Sequence, residues 1–213
     1  SPLFHSITRD VDAGGTTRYT LDLAGGARLV YLERDFSIPG LARVRPYLHT
    51  YHDSNGDKSD ADPDNDGNFY TFEYYDAAYF GDGSHQGQVH YGELRRIAAS
   101  GGNFLGFNYD AYGHIVEAYT RDGRHVHYGY NGEGDLTSVT RPDGTTVRYT
   151  YRHDTDPSTG QAYSTHLISR EEHPDGRVVE SDYDDERRVI AQRASLGTGD
   201  AGDQTLSLIH ISE

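Results

Sequence analysis

Two successive stretches of this chain match at a fixed offset of 21 residues: Gly113–Glu133 (GHIVEAYTRDGRHVHYGYNGE) and Gly134–Asp154 (GDLTSVTRPDGTTVRYTYRHD). Gly113 pairs with Gly134, Ile115 with Leu136, Asp122-Gly123 with Asp143-Gly144, and Tyr128-x-Tyr130 with Tyr149-x-Tyr151. A period in the twenties signals a structure built by stacking one supersecondary unit. Each unit opens on an apolar anchor and ends in an alternating run, Val126–Tyr130 or Val147–Tyr151. Alternation of β-branched and aromatic residues predicts strands. Asp-Gly between two such runs predicts a hairpin, because glycine accepts the positive φ that tight turns need. Each Tyr-x-Tyr places both rings on one face of its strand, so stacked hairpins align their tyrosines.

The phase runs on in both directions. Upstream, Gly92-Glu93-Leu94 matches Gly113-His114-Ile115, Gly101-Gly102 replaces Asp-Gly, and Phe107-Asn108-Tyr109-Asp110 closes the unit. Downstream, Pro174-Asp175-Gly176 follows Asp143-Gly144 by 32 residues, one period plus 11, with the surplus around His153–Gly160 reading as loop. Four units therefore span residues 92–187, the last carrying a single Tyr183. Tyr109-Asp110 before Gly113, and the pattern G-x-[IL]-x(6)-DG-x(4)-Y-x-Y, resemble the YD-repeat of Rhs proteins. That family includes bacterial polymorphic toxins, toxin-complex B and C components and teneurins. The resemblance implies an all-β fold of consecutive antiparallel hairpins, a strip of the β-shell that encloses a C-terminal toxin or effector. It also implies a parent that is secreted or held at a cell surface, with the remaining shell strands and the effector as partners. The family's autoproteolytic core is not matched; Asp156-Pro-Ser-Thr-Gly160 imitates its Asp-Pro-x-Gly region with the glycine one position late.

Hydrophobic residues make up 34% of the chain, glycine contributes 25 residues, and 18 tyrosines stand against no tryptophan. That is thin for a compact core and suits a sheet with one wet face, since tyrosine carries a polar tip. The net charge of −15 argues against nucleic acid, which needs a basic footprint. No apolar run approaches a membrane span, and no signal peptide is present in this fragment. The absence of cysteine excludes disulfides and thiolate metal sites.

Residues 1–52 read as irregular β-strands of the same shell, with Pro46 requiring an edge or a bulge. Residues 53–76 form an acidic insertion with eight acids against Lys58. Within it, Asp62-Pro-Asp64-Asn-Asp66-Gly67-Asn68-Phe-Tyr-Thr-Phe-Glu73 satisfies D-x-[DN]-x-[DN]-G-x(5)-E and resembles an EF-hand-type calcium loop. Asp62, Asp64 and Asp66 supply alternate carboxylates, Asn68 a backbone carbonyl, and Glu73 a bidentate carboxylate. Asp53, Asn55, Asp57 and Asp60 form a second, looser acidic ladder. The expected cofactor is Ca²⁺, and the flanks read as strands, not as the helix pair of an EF-hand. Residues 77–91 are a Gly-rich connector. Residues 188–213 comprise a strand end, a linker, and a tail at Leu206–Glu213 that is out of phase and reads as non-native.

His125-x-His127 lies on a predicted strand with both rings on one face, a geometry that can hold a transition metal. With no third ligand at suitable spacing, surface packing is the favoured reading. No G-x-S-x-G elbow and no separable Ser-His-Asp set exist, so no enzyme is expected. The alternative function is a carbohydrate-binding or adhesion module, with tyrosine rings stacking on sugars.

Overall fold

The computed structural model describes residues 4–38, 40–54, 68–76, 90–196 and 207–210, which fold into two units, residues 1–124 and 125–213. In the first unit lie β1 (Phe4–Val11), β2 (Thr17–Leu23), β3 (Arg28–Asp35), β4 (Val44–His52), β5 (Phe69–Tyr74), β6 (Leu94–Ala99), β7 (Phe104–Tyr109) and β8 (Ile115–Thr120). In the second lie β9 (His125–Tyr130), β10 (Leu136–Thr140), β11 (Thr146–Thr155), β12 (Ala162–Glu172), β13 (Arg177–Tyr183), β14 (Val189–Leu196) and β15 (Ser207–His210). Within each unit every strand pairs antiparallel with the next. The fold is all-β, and no helix among the described residues is long and apolar enough to cross a membrane. The tail read as non-native contributes β15, whose backbone pairs with β14 from Ala191↔His210 to Ala194↔Ser207.

The turns follow one plan. In Arg141–Thr145 the Arg141 N–H donates to the Thr145 carbonyl (2.8 Å) and the Gly144 N–H to the Arg141 carbonyl (2.9 Å). That is a three-residue loop with Gly144 at φ +82°, a type I turn followed by a bulge, and not the two-residue turn that Asp-Gly most strongly predicts. The same closure recurs at Gly102, Gly113, Gly123, Gly134 and Gly176. It therefore serves both the Asp-Gly corners and the links between hairpins. At those links the first residue is Asp or Asn. Oδ1 of Asp110, Asn131 and Asp184 each accepts the N–H groups two and four residues on. Arg187 holds the last such corner at φ +67°, a conformation that costs an L-residue about 1–2 kcal/mol.

Among the described residues the first unit buries Val30 completely and encloses one aromatic cluster. Phe36, just past β3, is 2% exposed and is enclosed by Tyr47 and Tyr91 with Ile38 and Tyr74 around it. Its ring meets Tyr47 edge-on at 4.7 Å and Tyr91 edge-on at 5.2 Å. In the second unit Val147 is the buried apolar side chain among the described residues, and most strand residues are half-exposed. Pro46 lies opposite Glu33 on β3, while β5 pairs with β4 only from Thr50 to His52. Its missing N–H thus falls where the β5 ladder has not begun, which is how a proline fits an inner strand.

Candidate functional site

The repeated feature that holds consecutive strands together is a tyrosine hydroxyl bonded to a displaced backbone carbonyl. Tyr109 on β7 donates to the Leu94 carbonyl on β6 (2.7 Å), Tyr151 on β11 to Leu136 on β10 (2.8 Å), and Tyr183 on β13 to Ile168 on β12 (2.8 Å), always 15 residues upstream. These are the aromatic end of one repeat and the apolar anchor of its beginning. The acceptors share a second property. Pairing registers shift at Leu94, Leu136 and Ile168, leaving one extra residue, Arg95, Thr137 or Ser169, in the bulging strand. A bulge breaks the ladder locally, and a half-buried carbonyl left by it needs another donor. The tyrosine from the strand on the other side supplies that donor.

The same clamp crosses the acidic insertion. Tyr74 on β5 donates to the Leu48 carbonyl on β4 (2.8 Å), 26 residues upstream, and the β3–β4 register shifts between Thr50 and Leu48. No repeat shows in the sequence before residue 92, because the acidic run between Leu48 and Tyr74 stretches the 15-residue spacing to 26. The clamping tyrosines also take equivalent places in the ladder: Tyr74 pairs with Leu94, Tyr109 with Ile115, Tyr151 with Ile168 and Tyr183 with Val189. Each clamp therefore touches three successive strands.

Burial pushes the Tyr109 hydroxyl up to about 12, helped by the Glu93 carboxylate. Burial also pushes Tyr74 up to about 12, against the pull of Arg34. A tyrosine whose folded pKa exceeds its ordinary value of 10.0 favours the folded state below pH 10 and ceases to do so as pH rises through 12. The first unit should therefore lose stability between pH 10 and 12, read as a falling urea midpoint. Tyr109→Phe, which has no proton to lose, should lessen that fall; an unchanged midpoint in the parent protein would contradict it.

The 11-residue surplus of the sequence reading is mostly strand. β11 and β12 extend past the repeat as an arm, joined by Asp156–Gln161. The turn between β9 and β10 grips this arm. Glu133 Oε1 accepts the Ser164 N–H (2.8 Å), and Glu133 Oε2 lies 3.3 Å from His153 Nε2. Asp135, 5% exposed, bonds Nδ1 of His166 and Nδ2 of Asn131. His166 sits at φ +60° beside a register shift between Tyr151 and His153. A polar cleft of about 230 Å³ lies alongside, lined by Arg152, Asp154, Tyr163 and Arg187 among others.

Of the residues read as calcium ligands, Asp62, Asp64, Asp66, Asn55, Asp57 and Asp60 lie outside the described residues. Three are placed. The Asn68 carbonyl accepts the Asp53 N–H at 3.1 Å, joining one member of each proposed set. Glu73 lies in β5 and its carboxylate bonds Arg95 and also Arg96, the latter at 2.6 Å from Nη2 and 3.0 Å from Nε. All three described oxygens of the EF-hand pattern, the Asn68 carbonyl and both Glu73 carboxylate oxygens, thus have protein partners. His125 and His127 project from β9 with stacked rings.

The RHS Repeat family profile matches residues 109–146 and 130–156, the stretch that contains the 21-residue period. Among solved structures, the Photorhabdus luminescens Tc holotoxin pore carrying a TccC3 mutation aligns with all of this chain at 11% identity and a TM-score of 0.47. TcdB2-TccC3-Cdc42 aligns with 92% of it at 12% identity and 0.36, and TcdB2-TccC3-TEV with 91% at 13% and 0.37. This chain spans 11%, 12% and 12% of those chains. No curated protein matches it. Residues 109–156 are RHS repeats.

Proposed function

We propose that this stretch of RHS repeats is a structural segment of a β-shell, secreted or displayed by a longer parent, whose other strands continue the sheet around a C-terminal effector. The observation that carries this reading is the clamp repeated at Leu48/Tyr74, Leu94/Tyr109, Leu136/Tyr151 and Ile168/Tyr183. A hairpin with one thin apolar face cannot stand alone, whereas a clamp that binds three strands lets identical units follow one another in one dimension. The half-exposed strands suit a wall whose two faces meet different surroundings. Limited proteolysis of the full-length parent tests the proposal. An enclosed effector should resist protease under native conditions and become sensitive when a clamp is removed. Cleavage of the effector at the same rate in intact and clamp-deleted parent would contradict enclosure. A tyrosine-fluorescence response to sugars at micromolar affinity would favour a carbohydrate-binding module instead.

We also propose that the acidic insertion takes calcium, on the strength of the Asp62–Glu73 spacing. Glu73 is held by two arginines and the Asn68 carbonyl by Asp53, so these two would have to exchange partners to join Asp62, Asp64 and Asp66 around the ion. Isothermal titration should show calcium binding that Asp64→Ala weakens at least tenfold and that Glu73→Gln changes far less. A flat titration of the folded chain would remove the calcium reading.

A further inference from the structure

His125 and His127 are absorbed by neither the clamps nor the acidic insertion. Both are exposed on β9, with Val126 directed to the opposite face by the alternation of the strand. Their rings lie nearly parallel, 10° apart, with centroids at 6.0 Å. A nitrogen of each comes within 4.8 Å of a nitrogen of the other. A single ion bonded to two imidazoles at about 2.0–2.1 Å needs those nitrogens roughly 3.0–3.4 Å apart. Turning about χ1 and χ2, with exchange of the contacts that the rings now make, closes that gap.

We propose that His125 and His127 form a chelating site for a divalent transition-metal ion. The chemical class follows from the donors. Neutral imidazole suits Zn²⁺, Ni²⁺ and Cu²⁺, with Cu²⁺ preferred at equal geometry, whereas Ca²⁺ and Mg²⁺ require oxygen. Because ligation needs unprotonated rings, binding weakens as the solution becomes acidic. Two imidazoles leave further coordination positions on the ion open to other donors.

The test is titration of the full chain with Ni²⁺ and with Cu²⁺ at pH 7.5, in millimolar Ca²⁺ so that oxygen sites are occupied. One ion should bind per chain, more tightly for Cu²⁺. His125→Ala and His127→Ala should each weaken it at least about tenfold, equal to about 1.4 kcal/mol, and repeating the titration at pH 5.5 should abolish it. Circular dichroism spectra matching the parent would show that both variants fold. The chain has 12 histidines, so the proposal is overturned if both variants keep the parent affinity. It is equally overturned if no ion binds at pH 7.5.

Discussion

Replacing Phe36 by alanine is expected to cost the first unit about 3–5 kcal/mol. Phe36 is 2% exposed, and three tyrosine rings lie against it with centroids at 4.7, 5.2 and 5.9 Å. The tyrosines that would line the hole come from β4 (Tyr47), from β5 (Tyr74) and from the residues before β6 (Tyr91). Loss of Phe36 thus loosens the strands on both sides of the acidic insertion. Urea unfolding followed by tyrosine fluorescence measures this, and a loss below about 1 kcal/mol would contradict the placement of the core.

Gly92→Ala should be nearly as damaging, by about 2–5 kcal/mol, for two separable reasons. Gly92 has φ +89°, where an L-residue is strained by about 1–2 kcal/mol. A Cβ there would also stand 2.7 Å from Phe36 Cβ and 2.9 Å from Cγ, overpacking worth about 1–3 kcal/mol. The share of the ring shows in the double variant. With Phe36 already reduced to alanine, Cγ at 2.9 Å is gone while Cβ at 2.7 Å remains, so Gly92→Ala should cost less than in the parent but still more than its backbone strain. Neighbouring substitutions are expected to couple in this way. Simple additivity of the two losses would mean that the Phe36 ring contributes nothing to the need for glycine.

The repeat made the strands legible. Its alternating runs, Val126–Tyr130 and Val147–Tyr151, lie in β9 and β11, and its Gly-centred corners fall at positive φ. What the period could not disclose was the role of each aromatic. Tyr149 and Tyr151 look alike in sequence, yet only Tyr151 reaches a carbonyl set free by a bulge, and bulges leave no mark in a period-2 pattern. The clamp of Tyr74 on Leu48 was hidden for another reason: the acidic run at residues 53–67 lies between its two halves in sequence, so their separation of 26 fits no repeat. Glu73 shows the opposite case. Its position in a calcium pattern was plain, but the arginines that hold it arrive from β6, 22 and 23 residues later, and linear spacing says nothing about them. The long arm of β11 and β12 read as loop because His153–Gly160 is rich in polar and turn residues; the grip of Glu133 and Asp135 on Ser164 and His166 orders its base.

If the hydroxyl-to-bulge clamp is what joins the repeats, two tyrosines two residues apart on one strand must differ in what their hydroxyls contribute. Tyr151 donates to the Leu136 carbonyl at 2.8 Å, whereas the Tyr149 hydroxyl has no hydrogen bond among the described residues. Urea unfolding of Tyr151→Phe beside Tyr149→Phe makes the comparison with the same atom removed in each. Tyr151→Phe should lower stability by about 1–2 kcal/mol through the orphaned carbonyl, and Tyr149→Phe should stay within about 0.5 kcal/mol of the parent. Equal losses in the two variants, or none at Tyr151, would contradict the clamp.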